Sequence, residues 1–279
     1  MMNKVAIGNI LLGGATPFVL FAGPCVIENE QLTREIALVL KEITIAIDVP
    51  FVFKASYDKA NRTAVTSYRG VGIKNGLDIL AKIRSDYNIK ILTDVHRFED
   101  IRAVCEICDV VQVPAFLCRQ TDFIIEVAKY AKAINIKKGQ FMAPADVKHI
   151  ISKAKAGGNN NVIITERGTS FGYNNLVTDM RAFPIMRSFG FPVVFDATHS
   201  VQLPASCGDV SGGEREMVPY LCRAAIGAGV DGIFLETHPD PDKALCDGAN
   251  SIKLNEMASL LKTLKGIDAI TKRVINNGQ

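Results

Sequence analysis

Two rhythms of apolar residues alternate along this chain. Short runs of β-branched and aromatic residues are each followed by a stretch whose apolar positions return every three or four residues. The first run is Phe18–Ala22 (FVLFA), closed by Gly23-Pro24-Cys25; Leu32, Ile36, Val39, Leu40, Ile43 and Ile47 then keep to one helical face. Further strands are predicted at Phe51–Lys54, Lys90–Val95, Val110–Val113, Ala133–Ile136, Val162–Thr165, Val193–Phe195 and Ile233–Leu235. Between them, helices are predicted at Ile73–Ile83, Ile101–Ile107, Phe123–Ala131, Ala145–Ala156, Leu176–Met186 and Glu214–Ala228. A last helix is lined by Met257, Leu260, Leu261, Leu264, Ile267, Ile270 and Val274. Runs that are apolar throughout suit strands covered on both faces, as in a parallel sheet. Eight such units without a linker predict an α/β protein, a (β/α)8 barrel of the TIM type spanning residues 1–279 as one domain. An open doubly wound sheet is the alternative, weakened because no Gly-rich dinucleotide loop follows the first strand. Val5–Leu12, broken by Gly8 and Asn9, reads as a short hairpin, so residues 1–14 are expected to extend the barrel and cap one end.

Composition narrows the function more than the fold. Lys and Arg number 32 against 29 Asp and Glu, a net charge of +3, which argues against nucleic-acid binding and makes any anion preference local. No apolar run is long enough to span a bilayer, and the N-terminus is broken by Gly and Asn before a signal-like segment forms; a cytoplasmic chain without membrane contact is expected. Seven cysteines, an odd number, are expected to be reduced thiols. Cys105-x-x-Cys108 lies in an apolar passage with no second such pair, and is expected to pack in the core.

In a barrel the chemistry gathers where the strands end. Those ends read Cys25; Lys54, Lys59, Asn61 and Arg62; Asp94 and His96; Gln112 and Arg119; Lys137 and Lys138; Glu166 and Arg167; Asp196 and His199; Glu236, His238 and Asp247. Lys54 to Arg62, KASYDKANR, is the densest stretch, with a solvated charged loop as its alternative reading. Together, Lys54, Lys59, Arg62, Arg119, Lys137 and Arg167 would repel one another at one mouth unless anions neutralised them, so multiply charged substrates are expected. The competing reading turns each cation outward to solvent or pairs it with Asp58, Asp94 or Glu166. Cys25, His199, Glu236 and Asp247 have the character of ligands for Zn²⁺, Fe²⁺ or Mn²⁺. Taken singly, Cys25, His199 and Asp247 also read as a small core residue, a hydrogen-bonded loop histidine and a turn former before Gly248.

Nine segments, FAGPCVIE, FKASYDKANRT, LTDVH, QVPAFLCRQTD, NIKKGQF, TERGTSFGYNNLVTDMR, FDATHSVQLP, SGGERE and ETHPDPDKALCDG, resemble in order the 3-deoxy-D-manno-octulosonate 8-phosphate synthase family. The resemblance implies a transferase that condenses phosphoenolpyruvate with arabinose 5-phosphate and water, for the inner core of lipopolysaccharide. It implies that Lys54, Ser56, Lys59, Arg119, Lys137 and Arg167 hold phosphoenolpyruvate, and that Asn61, Arg62 and Thr63 hold the pentose phosphate. Gln112 is added to the substrate-binding set from its place at a strand end. Many family members have Ser-Ser where this chain has Thr63-Ala64, which removes one hydroxyl. Cys25, in place of the Asn of metal-free members, implies the metal-using class, with Cys25, His199, Glu236 and Asp247 as ligands. Related seven-carbon synthases have KPRT where this chain has KANR, which favours the pentose acceptor. Lys59 and Lys137 are expected at the reacting groups, with His96 or Asp247 taking the proton of water. A homotetramer whose neighbouring subunit helps to close the sugar-phosphate site is also implied. A Schiff-base aldolase using Lys54 or Lys137 is the alternative from another class, revealed by borohydride trapping.

Overall fold

In the computed structural model, which describes residues 2–62, 64–207 and 210–276, eight parallel strands close into a ring. They are β1 (Val19–Gly23), β2 (Phe51–Lys54), β3 (Lys90–Asp94), β4 (Val110–Val113), β5 (Ile134–Lys137), β6 (Val162–Glu166), β7 (Val193–Asp196) and β8 (Gly232–His238). Each pairs with the next, and β8 pairs with both β7 (Val194 with Gly232) and β1 (Ile233 with Leu20), so no edge remains in the barrel. Helices α1 (Glu30–Ile47), α2 (Ile73–Tyr87), α3 (Ile101–Ile107), α4 (Thr121–Tyr130), α5 (Val147–Ala156), α6 (Ala182–Arg187), α7 (Val218–Gly227) and α8 (Met257–Asn276) follow the strands in turn. The predicted (β/α)8 barrel is the architecture observed.

Strand alternation explains why one end is a plug and the other a site. Alternate positions such as Leu20, Phe53, Ile91, Val111 and Ile164 pack against the helices, while their neighbours Val19, Phe21, Val52, Leu92, Val110, Ala133, Ile163, Val194 and Phe234 form a second apolar cluster. Two residues further along the same strands, that second face becomes polar and stays buried: Lys54, Asp94, Gln112, Asn135, Thr165, Asp196 and Glu236. The predicted hairpin forms as Val5–Ile7 against Ile10–Leu12, and its Val5, Ile7 and Leu12 close the apolar layer. Burial of each such side chain contributes roughly 1.5–3 kcal/mol.

Two units depart from the sequence pattern. Of the helix expected over Leu176–Met186, Leu176–Val177 instead pairs antiparallel with Thr169–Ser170, and only Ala182–Arg187 is helical. Pro184 has no N–H and fits a first turn, which sets the start of that helix at Ala182. After β7 come a single turn, Ala197–Ser200, and a hairpin, Gln202–Cys207 with Val210–Gly213. Few apolar residues mark that hairpin, so its periodicity was not visible. Cys105 and Cys108 are buried free thiols, and burial pushes the Cys105 pKa up to about 12. Among the described residues no helix is long and apolar enough to cross a membrane.

Beneath the barrel a buried charge cluster ties the seventh and eighth units together. Asp231 accepts from Val193 N (2.9 Å) and Arg187 Nη2 (3.1 Å), with Lys272 Nζ at 3.7 Å. Asp231→Ala would strand Arg187 and Lys272, a loss expected at about 3–5 kcal/mol because it leaves buried charge uncompensated. Urea unfolding should show that loss with the substrate KM values unchanged, since this end of a barrel serves stability.

Candidate active site

Gly23 ends β1 so close to β2 that a Cβ there would lie 1.9 Å from Lys54 O. The glycine thereby lets the chain after β1 lean over β2, and Lys54 Nζ donates to Cys25 O (2.9 Å). From β8, Glu236 meets the same ammonium at 2.6 Å. Burial would raise the Glu236 pKa, but Lys54, His199 and Lys59 outweigh it and hold it at about 2. His199 sits on the turn after β7, whose first N–H groups Asp196 caps through His199 N (2.9 Å). Asp196 Oδ2 also holds His199 Nδ1 (2.8 Å), which aims Nε2 at Glu236 Oε1 (3.7 Å) and Asp247 Oδ2 (3.5 Å). A carboxylate behind an imidazole in this way is the usual support of a metal-ligating histidine. Cys25 Sγ donates to Asp247 Oδ2 at 3.3 Å. Burial raises the Cys25 pKa well above the ordinary thiol value, and Cys246, Asp247 and Glu236 add to it. Asp247 reaches the cluster from a left-handed backbone (φ 49°), a strained turn completed by Gly248, where a Cβ would meet Pro241 O at 2.2 Å.

The four expected ligands are therefore neighbours, but they divide. His199, Glu236 and Asp247 form one group whose donor atoms lie within 4.8 Å of one another, and Cys25, Cys246 and Asp247 form another. Glu236 Oε2 is buried without a hydrogen-bond partner. An imidazole, carboxylates, thiols and an orphaned carboxylate oxygen make a donor set compatible with a divalent metal ion.

Around this cluster the cations are less free than their sequence suggested. Lys54 pairs with Glu236, Lys137 with Asp196 (2.5 Å), and Lys138 with Glu166 (3.4 Å). Lys137 Nζ also lies 4.2 Å from the centre of the Phe234 ring. Burial lowers the Lys137 pKa, against the pull of Asp196. Lys59 goes the other way: burial lowers its pKa, but Cys25, Glu236 and Asp94 prevail and raise it. The charge competition expected to demand ligands is thus largely met inside the protein, and the competing carboxylate-pairing reading holds for these three lysines with Glu236 and Asp196 added as partners. The exceptions are the three arginines, of which Arg119 is exposed and the other two reach the cluster. Arg167 donates from Nη2 to Gln202 (2.7 Å) and Arg62 from Nη1 to Cys246 Sγ (2.6 Å), and among the described residues neither has a carboxylate within 4.0 Å. Arg167 Nη1 and Arg62 Nε are buried with no partner. Buried donors left open in this way point to a ligand.

Both arginines line one cavity of about 600 Å³, with Lys59, Asn61, Gln140, His199, Gln202 and Asp247. The sequence profile of the DAHP synthetase I family matches residues 2–273. Proteins named 2-dehydro-3-deoxyphosphooctonate aldolase from Geotalea uraniireducens and Geotalea daltonii are each 57% identical over 272 residues, 98% of this chain and 100% of the relative. One of the same name from Geobacter metallireducens is 56% identical over the same shares. The chain belongs to the 2-dehydro-3-deoxyphosphooctonate aldolase family.

This family member keeps several expected residues behind the cavity wall. Ser56 donates to Asp94, and Gln112 accepts from Asn135 (3.2 Å), so both brace strand ends. His96 Nε2 faces Asp94 Oδ2 (3.1 Å) and Asp58 O (3.0 Å), away from the lining. Burial lowers the His96 pKa, but Asp94 prevails and raises it, which favours a donor over a base. Arg119 is exposed and outside the lining, at the end of the turn that brings Phe116 to the cavity. Thr63 lies outside the described residues. Gln140, Gln202, Cys246 and Arg215 line the cavity and were not singled out from sequence. For Cys246 the signal was its place beside Asp247; Gln202 opens the hairpin that the pattern concealed, and Arg215 follows it.

Proposed function

We propose that this protein condenses phosphoenolpyruvate with D-arabinose 5-phosphate and water, giving 3-deoxy-D-manno-octulosonate 8-phosphate and inorganic phosphate for lipopolysaccharide inner-core synthesis. The observation that carries this reading is a pair of guanidiniums with buried open donors, Arg62 and Arg167, lining one cavity with the donor cluster. Two anion seats beside metal-type ligands suit two phosphorylated substrates. The family name of the relatives specifies which.

Arg167 and Lys137 hold phosphoenolpyruvate, with Lys54 fixed on Glu236 and Ser56 on Asp94 at neighbouring strand ends. Asn61 and Arg62 hold the pentose phosphate, with Thr63 beside them in sequence. Carbon 3 of phosphoenolpyruvate attacks the aldehyde carbon, and Lys59, kept protonated by its anionic neighbours, donates to the aldehyde oxygen as it gains charge. Water adds at carbon 2 and Asp247, which lines the cavity, takes its proton; phosphate then departs with its bridging oxygen. Holding both partners in register is worth up to about 7–11 kcal/mol of barrier. Cys25, His199, Glu236 and Asp247 hold a divalent ion of the Zn²⁺, Fe²⁺ or Mn²⁺ type, and when bound it supplies Lewis acidity at this cluster.

The assembly we infer is a homotetramer, in the cytoplasm. Supporting it, Phe116, Phe141, Phe171 (70% exposed) and Tyr173 (98% exposed) stand on loops at the strand ends, a run of apolar surface suited to another copy. Such a copy would receive Arg119 from beside Phe116.

The test is phosphate release from phosphoenolpyruvate plus arabinose 5-phosphate, before and after chelation and with Zn²⁺, Fe²⁺ or Mn²⁺ restored. Release that chelation abolishes and one ion restores is expected. Release only with erythrose 4-phosphate would move the chain to the seven-carbon reaction. Arg62→Ala should raise the KM for arabinose 5-phosphate by about 30-fold or more, the loss expected of a desolvated charge contact, with that for phosphoenolpyruvate little changed. Equal losses for both would remove Arg62 from the sugar-phosphate seat.

A further inference from the structure

The metal-type cluster holds a sulfur that the four expected ligands leave out. Cys246 is buried, and its Sγ lies within 4.8 Å of a Cys25 sulfur and an Asp247 carboxylate oxygen that are themselves this close. In an extended chain the side chains of Cys246 and Asp247 would point to opposite sides. The left-handed backbone at Asp247, closed by Gly248 under Pro241 O, turns both toward the cluster. The result is two donor triads sharing Asp247: Cys25–Cys246–Asp247, with two sulfurs, and His199–Glu236–Asp247, with nitrogen and oxygen only.

These triads differ in the property that divides metal ions. Thiolates favour soft, thiophilic ions, while carboxylate and imidazole suit harder ones such as Mn²⁺. The soft triad also sits beside a positive group, since Arg62 Nη1 contacts Cys246 Sγ at 2.6 Å.

Resting on the metal reading above, we propose that Cys246 is a second thiolate ligand, so that soft divalent ions bind through Cys246 in addition to Cys25, His199, Glu236 and Asp247, and harder ions through those four without it. Each ligating thiol gives its proton to solvent as the ion binds.

Cadmium is the probe. Chelator-stripped protein is titrated with Cd²⁺ and read by the ultraviolet thiolate-to-cadmium charge-transfer band, alongside Mn²⁺ binding followed by electron paramagnetic resonance. The wild type is expected to give about twice the charge-transfer amplitude per ion of Cys246→Ser or Cys25→Ser, and the double variant none, as each thiolate adds its own band. Cd²⁺ affinity should fall at least about 10-fold in Cys246→Ser, with Mn²⁺ affinity within about 3-fold of wild type. Equal Cd²⁺ amplitude in wild type and Cys246→Ser overturns the proposal. X-ray absorption at the cadmium edge of the unmodified protein needs no variant: two sulfurs in the first shell support the proposal. One sulfur overturns it and leaves the four-ligand reading standing, whereas no bound Cd²⁺ or Mn²⁺ overturns both.

Discussion

Arg167→Ala is expected to cost phosphoenolpyruvate binding while making the protein more stable. The guanidinium is buried, Nη2 donates to Gln202, and Nη1 has no hydrogen-bond partner among the described residues. Burial lowers the Arg167 pKa, against the opposing pull of Asp196 and Asp247. A cation whose folded-state pKa lies below its unfolded value costs folding free energy wherever it is charged. Removing it should therefore stabilise the fold, and Arg167→Met, which keeps some volume, should gain about 1–4 kcal/mol. The same residue is the open donor that an anionic substrate would complete. Its loss should raise the KM for phosphoenolpyruvate at least about 30-fold, because truncating one partner of a buried charge pair costs about 2–5 kcal/mol. Arg167→Lys should recover little, since an ammonium lacks the planar fork. Thermal unfolding and steady-state kinetics on the three variants decide the matter. A variant that melts earlier and binds phosphoenolpyruvate normally would make Arg167 a structural residue.

Lys137→Ala differs in sign, and the contrast isolates function from folding. Lys137 is the ammonium partner of Asp196, a fully buried carboxylate that also orients His199. Its removal strands that charge, so activity and stability should fall together. Two cations assigned to one substrate are thus distinguishable by what surrounds them.

That surrounding is the part the sequence did not disclose. The barrel was legible because its strands are covered on both faces, so Phe51–Lys54 or Val110–Val113 stands out as an unbroken run wherever it falls. The strand ends were legible for the same reason: the first polar residue after each run is the first to leave the apolar layer. Pairing was not, because Lys54 and Glu236 are 182 residues apart and meet only when β8 closes near β1. Listing the cations without their partners led to the expectation of a repelling mouth, whereas Glu236, Asp196 and Glu166 already answer the lysines. Among the described cations at the cavity, Arg62 and Arg167 keep buried open donors, and nothing in their local sequence separates them from Lys54 or Lys137. The Gln202–Gly213 hairpin was concealed for the opposite reason: its residues satisfy backbone pairing at the rim and contribute little apolar rhythm.

Cys25→Asn is expected to remove most of the bound metal and, with it, one proton from the binding equilibrium. The Cys25 thiol donates to Asp247 Oδ2, and its pKa is held well above the ordinary value by burial first, then by Cys246, Asp247 and Glu236. It is therefore protonated in the metal-free protein near neutral pH, and only its thiolate is a ligand. Each ion bound through it must expel that proton, so affinity should rise about tenfold per pH unit below the thiol pKa. Glu236, held at about 2, and Asp247, held below the ordinary carboxylate range chiefly by His199 against the upward push of burial, are already ionised and add nothing to that slope. Asparagine has no proton to lose. The variant should show a slope smaller by one proton and, at neutral pH, an affinity lower by at least about 100-fold, a lost ligand costing no less than a lost supporting contact. Titration calorimetry in two buffers of different ionisation enthalpy counts the protons, and metal analysis after gel filtration counts the ions. A variant that retains one ion per chain with the wild-type pH slope would take Cys25 out of the ligand set and leave His199, Glu236 and Asp247 to hold the ion alone.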